Sequence, residues 1–300
     1  MQYYIALAKR LFVAAALMTV LFAACATYAE EFYVVDSYRH SGNLDPEQMD
    51  AEFSAVAETS TGWTAANKDA IWQDSESCKT FIYIHGNLAD RCSAINDGYL
   101  IRQYLNRAIA DKNYKLVVWF WNSARTGAPI RQDATNAEHR SQWESFYLAR
   151  FLQSAPENAE IRLIGYSFGA NTVLGACQLL SGGKVYGRTE PGTSGKIQSL
   201  LIAPAVPTWS FVYGREKALE CQTSCRLTVN CVDTGLKWYR FVTPDRQTEA
   251  MGRDGVAGVP ASQKEKVTIY NVTNQVGATH ALADYLGSTG VLREAVGNRQ

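Results

Sequence analysis

One stretch constrains this chain more than any other: Ile161-Arg162-Leu163-Ile164-Gly165-Tyr166-Ser167-Phe168-Gly169-Ala170-Asn171. A run of apolar and β-branched residues reads as a buried strand, and Ala170 to Ala176 reads as a helix. Only a tight turn, Gly-x-Ser-x-Gly, is left to join them. Such a turn drives its central residue into a strained backbone conformation, and glycines on either side keep side chains out of the space where strand and helix nearly collide. The pattern alone arises often by chance. Set between a strand and a helix, it presents Ser167 as an exposed nucleophile, and the rest of the chain must then supply a base, an acid and an oxyanion site.

Strand and helix patterns alternate around that stretch from end to end. Phe32 to Val35, Thr80 to Ile84, Lys115 to Trp121, Ile197 to Ile202, Arg226 to Asn230 and Lys266 to Val272 read as strands. Several are continuous apolar runs, as expected of a parallel sheet covered on both faces. Helices are expected over residues 95–110, 137–153, 209–220 and 281–296, and helical spacing also runs through residues 45–58. Trp63 to Trp72 fits neither period cleanly. With no internal repeat and no linker, residues 30–300 read as one α/β domain with a doubly wound, mostly parallel sheet.

The N-terminus differs in kind. Lys9 and Arg10 precede an uncharged apolar run from Leu11 to Ala24, and small residues follow. Residues 1–29 therefore read as a secretory signal peptide. Ala24-Cys25-Ala26 and Thr27-Tyr28-Ala29 both fit the cleavage rule. An alternative is a bacterial lipobox, Phe22-Ala23-Ala24-Cys25, whose signal ends before a lipidated Cys25 that attaches the protein to a membrane. Either way the expected location is exported: periplasmic or secreted, free or as a lipoprotein. Removing Lys9 and Arg10 from the 29 basic residues leaves 27 against 29 acidic ones. That balance gives no basic surplus for nucleic acid.

Six cysteines remain after residue 29, and in an exported chain an even count argues for disulfides. Cys78 and Cys92 bracket a strand and a turn and are one candidate pair. Cys221, Cys225 and Cys231 crowd together and could hold another bridge, while Cys177, on the apolar face of the helix after the turn, reads as a buried free thiol. No histidine lies near the cluster, so a metal site is not expected. No phosphate or nucleotide motif appears, and no cofactor is expected.

In an open α/β sheet, reactive groups gather past the C-terminal ends of the strands. Of four histidines, His280 alone follows the last strand and lies downstream of the serine, as a general base should. Asp233 directly follows Leu227 to Val232 and is the acid that would orient the imidazole, ahead of Asp245 and Asp254, which fall in polar loops; its competing role is to N-cap a helix at Leu236. The oxyanion hole needs two backbone N–H groups. Phe168, next to the serine, supplies one; Asn87, in the His85-Gly86-Asn87 turn after an early strand, supplies the other, with Leu88 as fallback. His85 reads as a brace for that turn.

With Ile84-His85-Gly86 and Gly165-Tyr166-Ser167-Phe168-Gly169-Ala170-Asn171 in place, the sequence resembles the α/β-hydrolase superfamily, and most closely its lipase and phospholipase branch. Animal lipases of the pancreatic type carry their acid in a Leu-Asp-Pro-Ala-x-Pro segment. The matching stretch here, Ile202-Ala203-Pro204-Ala205-Val206-Pro207, has alanine at the acid's place, which moves the acid to the next strand and agrees with Asp233. The resemblance implies an α/β-hydrolase fold and a serine hydrolase that cleaves small-molecule or lipid esters through an acyl-enzyme, exported if the N-terminal reading holds. The alternatives are an amidase or peptidase with the same triad, or a catalytically silent binding protein. Trp119, Trp121, Trp209, Phe211 and Tyr213 are candidates to line an acyl site, with residues 122–135, 181–195 and 207–225 as its rim.

Overall fold

A computed structural model describes residues 31–37, 53–110, 112–192, 196–242 and 248–288. The expected signal peptide, residues 45–52 and the chain beyond Ser288 lie outside these. Nine strands form one sheet: β1 (Glu31–Asp36), β2 (Ser54–Thr59), β3 (Gly62–Ala66), β4 (Lys79–Ile84), β5 (Tyr114–Phe120), β6 (Glu160–Tyr166), β7 (Lys196–Ile202), β8 (Gln222–Val229) and β9 (Val267–Asn271). Their order across the sheet is β3-β2-β1-β5-β4-β6-β7-β8-β9. From β1 to β9 every pair is parallel, while β2 and β3 add an antiparallel ribbon at one edge.

The central strands are mostly apolar because both faces are covered. All seven residues of β5 are buried, and alternate ones face opposite helices. Val118 lies beneath α2 (Arg91–Ala108), so close that a Cβ on Gly98 would come within 2.4 Å of its Cγ2. Trp119 faces α3 (Ile130–Gln153) on the other side, where its indole N–H donates to Glu144 Oε1 at 2.7 Å. Next to α3 packs α4 (Phe168–Leu180), the helix after the Gly-x-Ser-x-Gly turn, every residue of which is buried. Chain order reverses on the two sides of β4, which places β6 and its turn mid-sheet with a strand on either side. None of the described helices is long and apolar enough to cross a membrane.

Three expectations are corrected. Residues 54–58 belong to β2, not to a helix, and pair with β1 from Tyr33↔Ala57 to Asp36↔Ser54. Residues 209–220 are a chain of turns that buries Phe211, Ala218 and Leu219. Helix α3 begins at Ile130, seven residues early, because Pro129 opens it and Asp133 ties back to the Thr126 N–H at 2.8 Å. The ambiguous Trp63–Trp72 stretch splits between β3 and a short helix, α1 (Lys68–Trp72).

Candidate active site

Strand β6 ends at Tyr166, and Ser167 then takes φ +53°, ψ −119°, in the left-handed region that a non-glycine residue rarely adopts. A conformation of this kind costs about 1–3 kcal/mol and persists only where its surroundings hold it. They do so on both backbone groups. The Ser167 N–H donates to Ile202 O at 3.0 Å, and its carbonyl accepts from Ala170 N–H at 3.1 Å and Ala205 N–H at 3.2 Å. The flanking glycines are sterically required. A Cβ on Gly165 would lie 2.7 Å from Ala170 Cα, and one on Gly169 would lie 2.1 Å from Ile84 O.

Two loops bring partners to Ser167. After β8 the chain turns at Asn230, and Asp233 enters with its side chain fully buried. After β9 and the single turn α6 (Thr273–Val276), the loop to α7 (Leu282–Gly287) carries His280. The loops are stitched together: Asn230 Nδ2 donates to Gly277 O at 2.7 Å and Thr234 Oγ1 to Ala278 O at 2.9 Å. His280 Nε2 stands 3.0 Å from Ser167 Oγ, and His280 Nδ1 stands 2.8 Å from Asp233 Oδ2. A carboxylate can only accept, so it fixes the proton on Nδ1 and leaves Nε2 to accept from the serine hydroxyl. Asp233 also performs its competing role, since Oδ1 accepts the Leu236 N–H at 2.8 Å and caps the 3-10 turn Leu236–Phe241. Burial alone would raise its carboxyl. Hydrogen bonds from His280, Tyr285 and the Leu236 N–H more than offset this and hold it below the ordinary value.

Three neighbours escaped the sequence reading. Gly235 lies against the imidazole, where a Cβ would meet His280 Cγ at 2.6 Å; its signal was a glycine two residues past a strand-end aspartate. The Tyr166 ring stacks on His280 at 5.4 Å, and its hydroxyl donates to the His280 carbonyl. Tyr285, on α7, donates its hydroxyl to Asp233 Oδ2 at 2.5 Å.

The turn after β4 lies over the serine: a Cβ on Gly86 would be 3.1 Å from Ser167 Cβ. His85 braces it. Its Nδ1 donates to Gly86 O at 2.8 Å, its Nε2 accepts the Trp121 N–H at 3.2 Å, and its ring stacks on Trp121 at 5.4 Å. Complete burial pushes the imidazole down to about 4, so His85 stays neutral and structural. The Leu88 N–H is spent on Ser123 O at 3.2 Å. The Asn87 N–H has no acceptor among the described residues. The Phe168 N–H is the first orphan donor of α4.

Trp119, Trp121 and Phe211 are core residues rather than wall residues, since all three are fully buried. Trp209 is half-buried and packs at a tilt against the exposed Tyr213, ring centroids 5.5 Å apart. The rim carries apolar groups that the sequence did not single out. Trp238 and Phe241 project outward from the 3-10 turn while Tyr239 packs inward, 6.4 Å from the Phe168 ring. Of ten exposed large hydrophobic residues among those described, seven (Leu88, Ile130, Val212, Tyr213, Val232, Trp238, Phe241) lie in segments that follow the C-terminal ends of β4, β5, β7 and β8. This is the edge where Ser167 sits.

All six described cysteines are free, so neither Cys78–Cys92 nor the 221–231 cluster forms a bridge. Cys177 and Cys225 are buried in the core, and burial pushes the Cys225 thiol up to about 11. No group of three His, Cys, Asp or Glu side chains among the described residues could hold a metal ion.

The mostly parallel sheet, the turn at Ser167 and the loops after β8 and β9 together make the architecture of the α/β-hydrolase fold. No family model and no curated protein matches the chain. Among solved structures it is similar to esterase B from Lactobacillus rhamnosis at 12% identity, covering 96% of this chain and 94% of that one, with TM-score 0.40. It is similar to a putative hydrolase from Agrobacterium vitis at 10% identity, over 83% and 96%, with TM-score 0.41. A third likeness is to acyl-protein thioesterase 2 from Zea mays at 14% identity, over 73% and 94%, with TM-score 0.40.

Proposed function

We propose that this protein is an exported serine hydrolase that cleaves carboxylic esters with an apolar acyl group. The observation that carries the reading is the single row Ser167 Oγ, His280, Asp233, with gaps of 3.0 and 2.8 Å, at a serine in the left-handed backbone region. Those are hydrogen-bond distances for a nucleophile, its base and the group that orients the base. Ser167 Oγ attacks the acyl carbon while His280 Nε2 takes its proton. The negative charge that develops on the carbonyl oxygen is held by the N–H groups of Phe168 and Asn87, which have no competing acceptor among the described residues. His280 then returns the proton to the departing alkoxide. Water, deprotonated by the same imidazole, attacks the acyl-enzyme and releases the acid and Ser167.

The preference for an apolar acyl group rests on the rim of Trp209, Val212, Tyr213, Trp238 and Phe241, which gives a hydrocarbon chain surface to cover. Export rests on the N-terminal charge and hydropathy pattern. The test is hydrolysis of p-nitrophenyl esters of graded acyl length by the wild type beside Ser167→Ala, with fluorophosphonate labelling in parallel. Turnover that rises with acyl length and vanishes in the variant is expected. A wild type that labels at Ser167 but cleaves no ester would redirect the substrate class. Neither labelling nor turnover would leave only a binding role.

A further inference from the structure

Asp233 is a charged group with no water to stabilise it: its side chain is fully buried, and among the described residues its one ion-pair partner is His280. Its charge is therefore distributed over three hydrogen bonds. Oδ1 takes the Leu236 N–H at 2.8 Å, whereas Oδ2 takes two donors, His280 Nδ1–H at 2.8 Å and the Tyr285 hydroxyl at 2.5 Å. The phenol and the imidazole thus draw on the same oxygen. A donor that stays on Oδ2 whatever the protonation state of the histidine reduces the negative charge available to an imidazolium.

We propose that Tyr285 is a positioning residue for the His280–Asp233 pair, its hydroxyl holding the Oδ2 lone pairs in place and tempering the carboxylate's pull on the imidazole proton. This rests on the reading of Ser167, His280 and Asp233 as the catalytic row. Tyr285 is suited to the task. It is buried on α7, five residues past His280, so the loop that delivers the base is anchored at its far end to the acid. Its own ionisation is pushed well up, chiefly by burial and then by Asp233, so it remains a donor throughout the working range. Among the described residues the Tyr166 ring from β6 covers the imidazole, and Asp97 from α2, which accepts from the Tyr83 hydroxyl at 2.8 Å, acts on Tyr166. Neither donates to Asp233, which leaves the second donor role to Tyr285.

The experiment is the pH profile of kcat/KM on a soluble p-nitrophenyl ester for the full protein, its Tyr285→Phe variant, and protein carrying 3-fluorotyrosine at position 285. Phenylalanine keeps the ring and removes the donor; fluorotyrosine keeps the shape and strengthens the donor. The acid limb of the profile should move up in Tyr285→Phe and down in the fluorinated protein. A structural role alone would lower activity evenly across pH with the limb unmoved, and that result overturns the proposal. If Tyr285→Phe fails to fold, the fluorinated protein decides: an unmoved limb there has the same force. A wild type without turnover and without fluorophosphonate labelling would take down the catalytic row and this inference with it. An active wild type with unmoved limbs would take down the role of Tyr285 alone.

Discussion

Adding one methyl group at Gly169 should damage stability and chemistry together. A Cβ there would lie 2.1 Å from Ile84 O and 2.7 Å from His85 O, where ordinary contacts begin near 3.4 Å. Neither obstacle is a flexible side chain. Both are backbone at the end of β4, and the same backbone leads to the Asn87 N–H. Relief therefore requires the start of α4 and the end of β4 to separate by about 1 Å, measured against ordinary van der Waals spacing. Overpacking of a fixed core costs about 1–3 kcal/mol, and a backbone-on-backbone clash belongs at the top of that range. The same displacement parts the N–H groups of Phe168 and Asn87, and misplacing groups by 1 Å lowers rates by about 100-fold. Gly169→Ala should thus lose about 3 kcal/mol in urea unfolding and about 100-fold in kcat/KM. Gly182→Ala separates this from generic glycine loss. Gly182 has φ +71° with no atom within 4 Å of the added Cβ, so about 1 kcal/mol of strain and unchanged activity are expected. A Gly169→Ala protein within about 0.5 kcal/mol of the wild type, an ordinary surface effect, and equal to it in kcat/KM would refute the steric account of the turn.

Asp233→Asn keeps the shape but offers the imidazole an amide in place of a carboxylate, freeing the wrong tautomer; kcat should fall by about 10⁴, as in the serine protease triad. Labelling of Ser167 by fluorophosphonate should slow in parallel, and an unchanged rate would exclude Asp233 from the row. Glu144 is a buried carboxyl that burial lifts from 4.5 to about 7, although Ser37 and Trp119 donate to it. The folded state therefore binds this proton more tightly than the unfolded chain, so stability is lost as pH rises from 4.5 to 7, by roughly 3 kcal/mol. Glu144→Gln should remove that slope in unfolding titrations at pH 5 and pH 8, and equal slopes in the two proteins would contradict it. Ellman titration should find Cys92 and Cys231 reactive in the native protein and Cys177 and Cys225 reactive only after denaturation, following their exposure. A native protein with no titratable thiol would instead establish disulfides.

Where sequence predicted structure well, the physics was local and unopposed. The continuous apolar runs of β4, β5 and β6 admit no exposed face, and a turn flanked by Gly165 and Gly169 leaves one geometry between strand and helix. His280 and Asp233 were legible because strand ends dictate where loops point. Failures came where a distant partner decided. Ser54-Ala55-Val56-Ala57-Glu58-Thr59 has the alanine and glutamate of a helix, yet the open edge of β1 offers it a complete ladder, and pairing outweighs propensity. Residues 209–220 have helical spacing but place Phe211, Ala218 and Leu219 inward by a succession of turns. One of these centres on Arg215, whose guanidinium is buried against the backbone of Gly214 and Asn171 Oδ1 on α4.

Tyr166 and Tyr285 show a different kind of illegibility. Each sits at a position where an apolar residue would satisfy the pattern equally well, Tyr285 buried and Tyr166 half-buried against the core. What distinguishes them is one oxygen apiece, aimed at the His280 carbonyl and at Asp233 Oδ2. A buried phenol must find an acceptor, because leaving its hydroxyl unpaired costs about 1–3 kcal/mol. Here both acceptors belong to the row beside Ser167. The left-handed serine, the steric demands at Gly165, Gly169 and Gly235, and the two phenols all constrain the same few ångströms. A chain under selection only to fold would relax such constraints first, since phenylalanine at 166 or 285 would fill the same volume without a hydroxyl to satisfy. Around Ser167 these constraints meet at one point, as the proposed reaction there would require.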